Sequence, residues 1–308
     1  SEMCIRDRIT SPTGGEGNIV IGDFDGHLSS FSEILTLSDA FGTIVAQTIT
    51  PNLPSEAQQF LVISEIMYHP ADGAGEEFIE LLNTSDSITL DLGGVSFTDG
   101  IDYVFPDGSI LAPGDYLTLN ALDFANGTAL SNGGEAIKLE DASSGTIKKF
   151  NYKDESPWPD QPDGGGTSLV LINPFSNPDP ALPSNWRPST QSGGNPNDTD
   201  ATTFSGDPNG DLNGNGIPDL IDYALGDGGS VTLTSNSLSF HRALGADDIN
   251  LIIELSVDLS TWVDASSFLK NRELSYPENG IEQVDYTLSP TTPSEKWFIR
   301  IRAKTISP

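Results

Sequence analysis

Short apolar runs, alternating with polar residues and interrupted every few positions by Gly, Asp, Asn or Pro, recur through most of this chain. Examples are Gln59-Phe60-Leu61-Val62-Ile63, Glu77-Phe78-Ile79-Glu80-Leu81-Leu82, Asp115-Tyr116-Leu117-Thr118-Leu119 and Ala136-Ile137-Lys138-Leu139. A period of two sends successive side chains to opposite faces of a strand, whereas an amphipathic helix needs apolar positions three and four apart. Helical periodicity is nearly absent. Many short strands divided by turn residues predict an all-β chain made of β-sandwich modules. Its 308 residues suit two or three such domains.

Charge narrows the functions open to it. The chain carries 45 Asp+Glu against 14 Lys+Arg, a formal net charge of −31. Such a surface repels phosphate backbones and anionic membranes, so binding to free nucleic acid is not expected. Between Arg8 and Lys138 there is no Lys or Arg at all. That half must be kept soluble by solvated carboxylates or bound cations rather than by salt bridges. No stretch approaches the ~18 consecutive apolar residues of a membrane-spanning helix. The single cysteine, Cys4, excludes a disulfide scaffold within the chain.

The opening Ser1-Glu2-Met3-Cys4-Ile5-Arg6-Asp7-Arg8 resembles translated sequencing adapter, so residues 1–8 are expected to be non-native and any signal peptide to lie upstream. An internal repeat follows. Leu28, Ser29, Glu33, Leu37, Asp39 and Ala40 match Leu130, Ser131, Glu135, Leu139, Asp141 and Ala142. Gly42-Thr43-Ile44 then aligns with Gly145-Thr146-Ile147 after a one-residue insertion. Residues 9–50 are therefore expected to be the C-terminal strands of a preceding copy of the middle domain. Residues 51–58 read as a linker. So do residues 191–206, rich in Ser, Gly, Asn, Asp and Thr.

The block 59–190 resembles the lamin tail domain in its bacterial extracellular form. The likeness is carried by Ile63-Ser64-Glu65-Ile66-Met67-Tyr68-His69-Pro70, by Glu77-Phe78-Ile79-Glu80-Leu81-Leu82-Asn83 and by Leu90-Asp91-Leu92-Gly93-Gly94-Val95. Phe105-Pro106-Asp107-Gly108, Leu111-Ala112-Pro113-Gly114, Ser156-Pro157-Trp158-Pro159 and Asp163-Gly164-Gly165-Gly166 extend it. The resemblance implies an immunoglobulin-like β-sandwich that binds or connects outside the cell, without catalysis of its own. Three features that invite a catalytic reading have plainer ones. His69 has no second His or Cys at ligand spacing and reads as structural. Glu76, Glu77 and Glu80 read as solvated strand carboxylates. Asp163-Gly164-Gly165-Gly166 is followed by no Lys or helix start and reads as a turn.

Residues 207–228 hold the clearest chemical pattern. From Asp211 the chain fits a twelve-residue EF-hand-like loop. Oxygen donors fall at Asp211, Asn213, Asn215, the Ile217 carbonyl, Asp219 and Asp222, with Gly216 at the sharp bend. Short carboxylate and amide side chains at alternate positions suit Ca²⁺, whereas zinc would want His or Cys. Asp222 stands where Glu is usual, and the loop is similar to those of dockerins and thrombospondin type 3 repeats. Asp222-Tyr223-Ala224-Leu225-Gly226 predicts a short helical turn after it.

Residues 230–308 are expected to form a small β-domain. In its last strand Trp297, Ile299, Ile301 and Ala303 share one face and Arg300, Arg302 and Lys304 the other. The basic face reads as solvated, with docking to an acidic surface as the alternative. The resulting expectation is a non-catalytic, calcium-stabilised binding, adhesion or structural fragment of a larger exported bacterial protein. It would be extracellular or at the cell surface, built of monomeric modules and directed to an unknown protein or carbohydrate ligand. The alternative is an accessory region of a secreted nuclease or spore-coat-type kinase whose catalytic domain lies upstream.

Overall fold

A computed structural model describes residues 34–38, 41–49, 53–226, 231–278, 280–289 and 297–306. The expectations for residues 1–33 fall outside the described residues. The chain is all-β, as its alternation requires. Two strands, β1 (Ile34–Ser38) and β2 (Ile44–Ile49), form an antiparallel hairpin. A one-turn helix, α1 (Glu56–Phe60), follows, closed by a capping box between Ser55 and Gln58.

The middle domain contains β3 (Leu61–Met67), β4 (Phe78–Asn83), β5 (Leu90–Asp91), β6 (Ser96–Asp99), β7 (Tyr103–Val104) and β8 (Ile110–Leu111). It continues with β9 (Tyr116–Asn120), β10 (Ala136–Glu140), β11 (Thr146–Asn151), β12 (Leu169–Leu171) and β13 (Trp186–Pro188). Its five-stranded sheet has the order β13-β12-β3-β4-β9, its four-stranded sheet the order β11-β10-β6-β7, and β5 pairs with β8. Ile63, Ile66, Ile79, Leu81, Leu139, Phe150 and Trp186 belong to one continuous core. Trp186 stacks on Phe150 at 5.7 Å.

The hairpin β1–β2 repeats β10–β11 in backbone terms. Ile34 opposes Ile49 and Leu37 opposes Ala46, as Ala136 opposes Asn151 and Leu139 opposes Lys148. Both ladders shift by a bulge just before their last pair, Ser38↔Ile44 and Glu140↔Thr146. The offset between the two ladders is constant, so the one-residue insertion suggested by the sequence alignment is absent from the pairing. The surroundings differ. Ile137, Ile147 and Phe150 are buried, whereas Ile44, Val45 and Ile49 are exposed.

The C-terminal module consists of α2 (Asp219–Leu225), β14 (Val231–Leu233), β15 (Ser237–Ala243), β16 (Ile249–Ser256), β17 (Val263–Asp264), β18 (Leu269–Glu278), β19 (Ile281–Leu288) and β20 (Phe298–Thr305). They form sheets of order β14-β15-β19-β18 and β17-β16-β20. Ile221 and Leu225 of α2 enter the core between them, and Leu220 and Ala224 pack with Ile249. The helix that follows the polar loop is thus part of the module's core.

Two expectations are corrected here. The first part of the expected linker 191–206 lies across the outer face of the five-stranded sheet. There Gly194 and Asp200 are buried, and Asn195 and Asn197 donate backbone N–H groups to Glu65 and Glu80. Glu77 and Glu80, expected to be solvated, are 2% and 1% exposed. Both faces of β4 are buried, because this strap covers the side opposite the core.

Candidate functional site

The polar loop enters α2 through Pro218, which needs no N–H at a helix start. Gly216 takes φ +84°, the left-handed conformation the sharp bend demands. Its N–H donates to Asp211 Oδ2 at 3.0 Å and closes the loop. Asn213 and Asn215 each accept a backbone N–H two residues on, which curls the segment inward. Their amide groups both donate to Asp222 Oδ2 at 2.9 Å. Asp222 is 5% exposed, and its Oδ1 has no partner, one of only four such buried side-chain atoms among the described residues. Burying a carboxylate oxygen without a donor or cation is costly.

The sequence-derived ligand set is therefore brought together in part. Asn213, Asn215 and Asp222 converge, and Asp211 adjoins them through Gly216. Asp219 accepts from Leu212 N at 2.8 Å and packs on Gly210. Among the described residues no three His, Cys, Asp or Glu side chains gather as a metal cluster. The expected donors are amides, carboxylates and a carbonyl, hard oxygens of the kind Ca²⁺ accepts, but here Asn213 and Asn215 turn their N–H₂ groups to Asp222 and their oxygens to backbone N–H groups.

A second polar assembly escaped sequence reasoning. Cross-strand pairing aligns Arg187, Val170, Glu65, Glu80 and Thr118 in one row across all five strands of the sheet. Glu65 accepts from Ser168 Oγ and from Asn195 N. Glu80 accepts from Ser64 Oγ at 2.7 Å, from Thr118 Oγ1 and from Asn197 N. Burial, outweighing these hydrogen bonds, pushes Glu65 up to about 8 and Glu80 up to about 7. At the row's end Arg187, 2% exposed, grips Asp247 with Nε and Nη2 and Asp200 with Nη1. Asp247 comes from the C-terminal module, so one guanidinium ties sandwich, strap and module together. The available signal was that Arg187 is the only Arg between Arg8 and Arg242.

The remaining candidates have local partners. His69 Nδ1 meets Asp163 Oδ1 at 2.6 Å, with both side chains more than a third exposed. Glu77 accepts from Leu130 N, and burial raises its carboxyl. On the basic face of β20, Arg302 pairs with Glu254 at 3.6 Å. Arg300 pairs with Glu254 at 2.6 Å and lies 4.1 Å over the Trp262 ring.

Residues 54–154 match the family model of the lamin tail domain, a non-catalytic immunoglobulin-like domain. Strands β12 and β13 lie beyond that match and complete the five-stranded sheet. No match was found among curated proteins, and none among solved structures. No helix of the described residues is long and apolar enough to cross a membrane.

Proposed function

We propose that this chain is a non-catalytic, calcium-stabilised binding, adhesion or structural segment of a larger exported protein. The observation that carries the calcium part is the buried, unpartnered Oδ1 of Asp222, set beside Asn213 and Asn215 in a loop bent at Gly216. Asp222 is the anchor of the set, and Asp211, Asn213, Asn215 and the Ile217 carbonyl supply further oxygens. Asp219, the remaining side chain of the expected set, has Oδ1 on Leu212 N. Because α2 enters the C-terminal core, an ion on Asp222 would stabilise that module directly. An extracellular setting suits a weak site of this kind, with Kd about 10⁻⁴–10⁻³ M. The modular reading rests on the lamin tail match and on the repeated ladder of β1–β2, which we take as closing strands of a preceding sandwich.

The test is calorimetric titration of the whole chain with Ca²⁺, beside an Asp222→Ala variant. Saturable heat in the parent and none in the variant is expected. At a hundredfold excess over Kd the ion would add about 2.7 kcal/mol to stability. Absence of heat in the parent, or equal binding in the variant, would remove calcium from the proposal.

A further inference from the structure

Glu65 and Glu80 stand directly opposite each other on β3 and β4, and both are at most 2% exposed. Directly opposed side chains on antiparallel strands have Cβ atoms about 4.5–5.5 Å apart, and like charges at that separation repel. Arg187 is the one cation in their cross-strand row. Arg187, at the end of the same row, is committed to Asp200 and Asp247, two carboxylates on one guanidinium. The strap adds Asp198 and Asp200, and β9 adds Tyr116. Lys and Arg are absent from residues 9–137, so β3, β4 and β9 can supply none. Glu65, Glu80, Tyr116, Asp198, Asp200 and Asp247 line one small cavity.

What the pair holds is the strap. Asn195 N–H ends on Glu65 Oε1 and Asn197 N–H on Glu80 Oε2, across 130 and 117 residues of sequence. The strap in turn reaches the C-terminal module, through Asp200 on Arg187 and through Thr202 N on Gly245 O at 2.8 Å. We propose that Glu65 and Glu80 are a proton-sharing pair that clamps the 190–201 strap, and with it the C-terminal module, to the sandwich, and that loss of the proton loosens the clamp.

The sign follows from linkage. Both carboxyls are held above their ordinary value of 4.5, so the clamped state binds protons more tightly than the open one. Clamping is then favoured at mildly acidic pH and weakens as pH rises through about 7 and about 8. The charge on Glu80 adds to the upward push that burial gives Glu65.

The experiment is amide hydrogen exchange on the whole chain in a calcium chelator, at pH 5.5, 7 and 8.5, corrected for intrinsic rates. Protection of the Asn195 and Asn197 amides is expected to fall by about tenfold or more over that range, one pH unit of linkage being a tenfold change. Ile79 in the core sheet should stay protected. A Glu65→Gln, Glu80→Gln double variant should show a flat profile at the strap. Unchanged strap protection in the parent, or the parent's pH dependence persisting in the variant, overturns the proposal. Carboxyl-carbon NMR titration of the parent decides independently of any folding defect in the variant. A coupled titration of Glu65 and Glu80 above the usual glutamate range is expected, and two ordinary titrations would refute it.

Discussion

A single guanidinium decides how the two folded units meet. Arg187 is fully enclosed, and its fork makes three bonds to Asp247, at 3.0, 3.1 and 2.7 Å, besides the contact with Asp200. Burial alone would depress its charge, but the two carboxylates outweigh that and raise it. Removing one member of a buried ion cluster leaves the others uncompensated. Arg187→Ala is therefore expected to lower stability by about 3–5 kcal/mol, read from denaturant unfolding. Arg187→Lys keeps the charge without the planar fork and should fall between parent and Ala variant. An Ala variant as stable as the parent would show that the triad contributes nothing.

At the scale of elements, the strap shows where sequence reasoning stops. Strands β3, β4, β9, β10 and β11 follow the alternation of their apolar residues. The turns Pro106-Asp107-Gly108 and Pro113-Gly114 place Gly108 and Gly114 at φ +83° and +74°, as such turns require. The strap gives no such signal. It is held by backbone N–H groups, which any residue type offers, so its polar composition looks the same as that of a free linker. Glu65 and Glu80 were illegible for the same reason, because alternation says which face a side chain takes and not what later covers that face. The spacing of Asn213, Asn215 and Asp222 was legible as a polar loop before a helix, whereas the bonds of both amides to Asp222 and of Leu212 N to Asp219 were not. Gly194 is the strap's tightest point. It sits at φ +70°, and a Cβ there would collide with Glu65 Oε1 and stand 2.9 Å from Phe78 Cζ. Gly194→Ala should cost about 1–3 kcal/mol and lift the strap, seen as lost protection of the Asn195 amide with core amides intact. Unaltered protection would mean that the strap is seated elsewhere.

For the whole molecule the governing quantity is its surplus of negative charge. Apart from Arg187 and the His69–Asp163 contact, the described basic groups with ion-pair partners are used within one module: Lys138 with Glu140, Arg242 and Arg272 with Glu282, and Arg300 and Arg302 with Glu254. What remains is a net charge of −31 on the chain, which favours any state that spreads it out. Screening sets how strongly. The Debye length is about 30 Å at 0.01 M salt, comparable to a domain, and about 10 Å at 0.1 M. The thermal midpoint should therefore rise with NaCl from 0.01 to 0.3 M, and KCl should act the same way, since screening is indifferent to the cation. A gain of about 1 kcal/mol corresponds to about 2–4 °C for a unit of 150–250 residues. Ca²⁺ at matched ionic strength separates screening from site binding. In the parent it should raise the midpoint beyond the NaCl curve, and in Asp222→Ala it should fall on that curve while the NaCl response persists. A midpoint insensitive to NaCl would show that the carboxylates are too widely spaced, or too well solvated, for their repulsion to matter to folding.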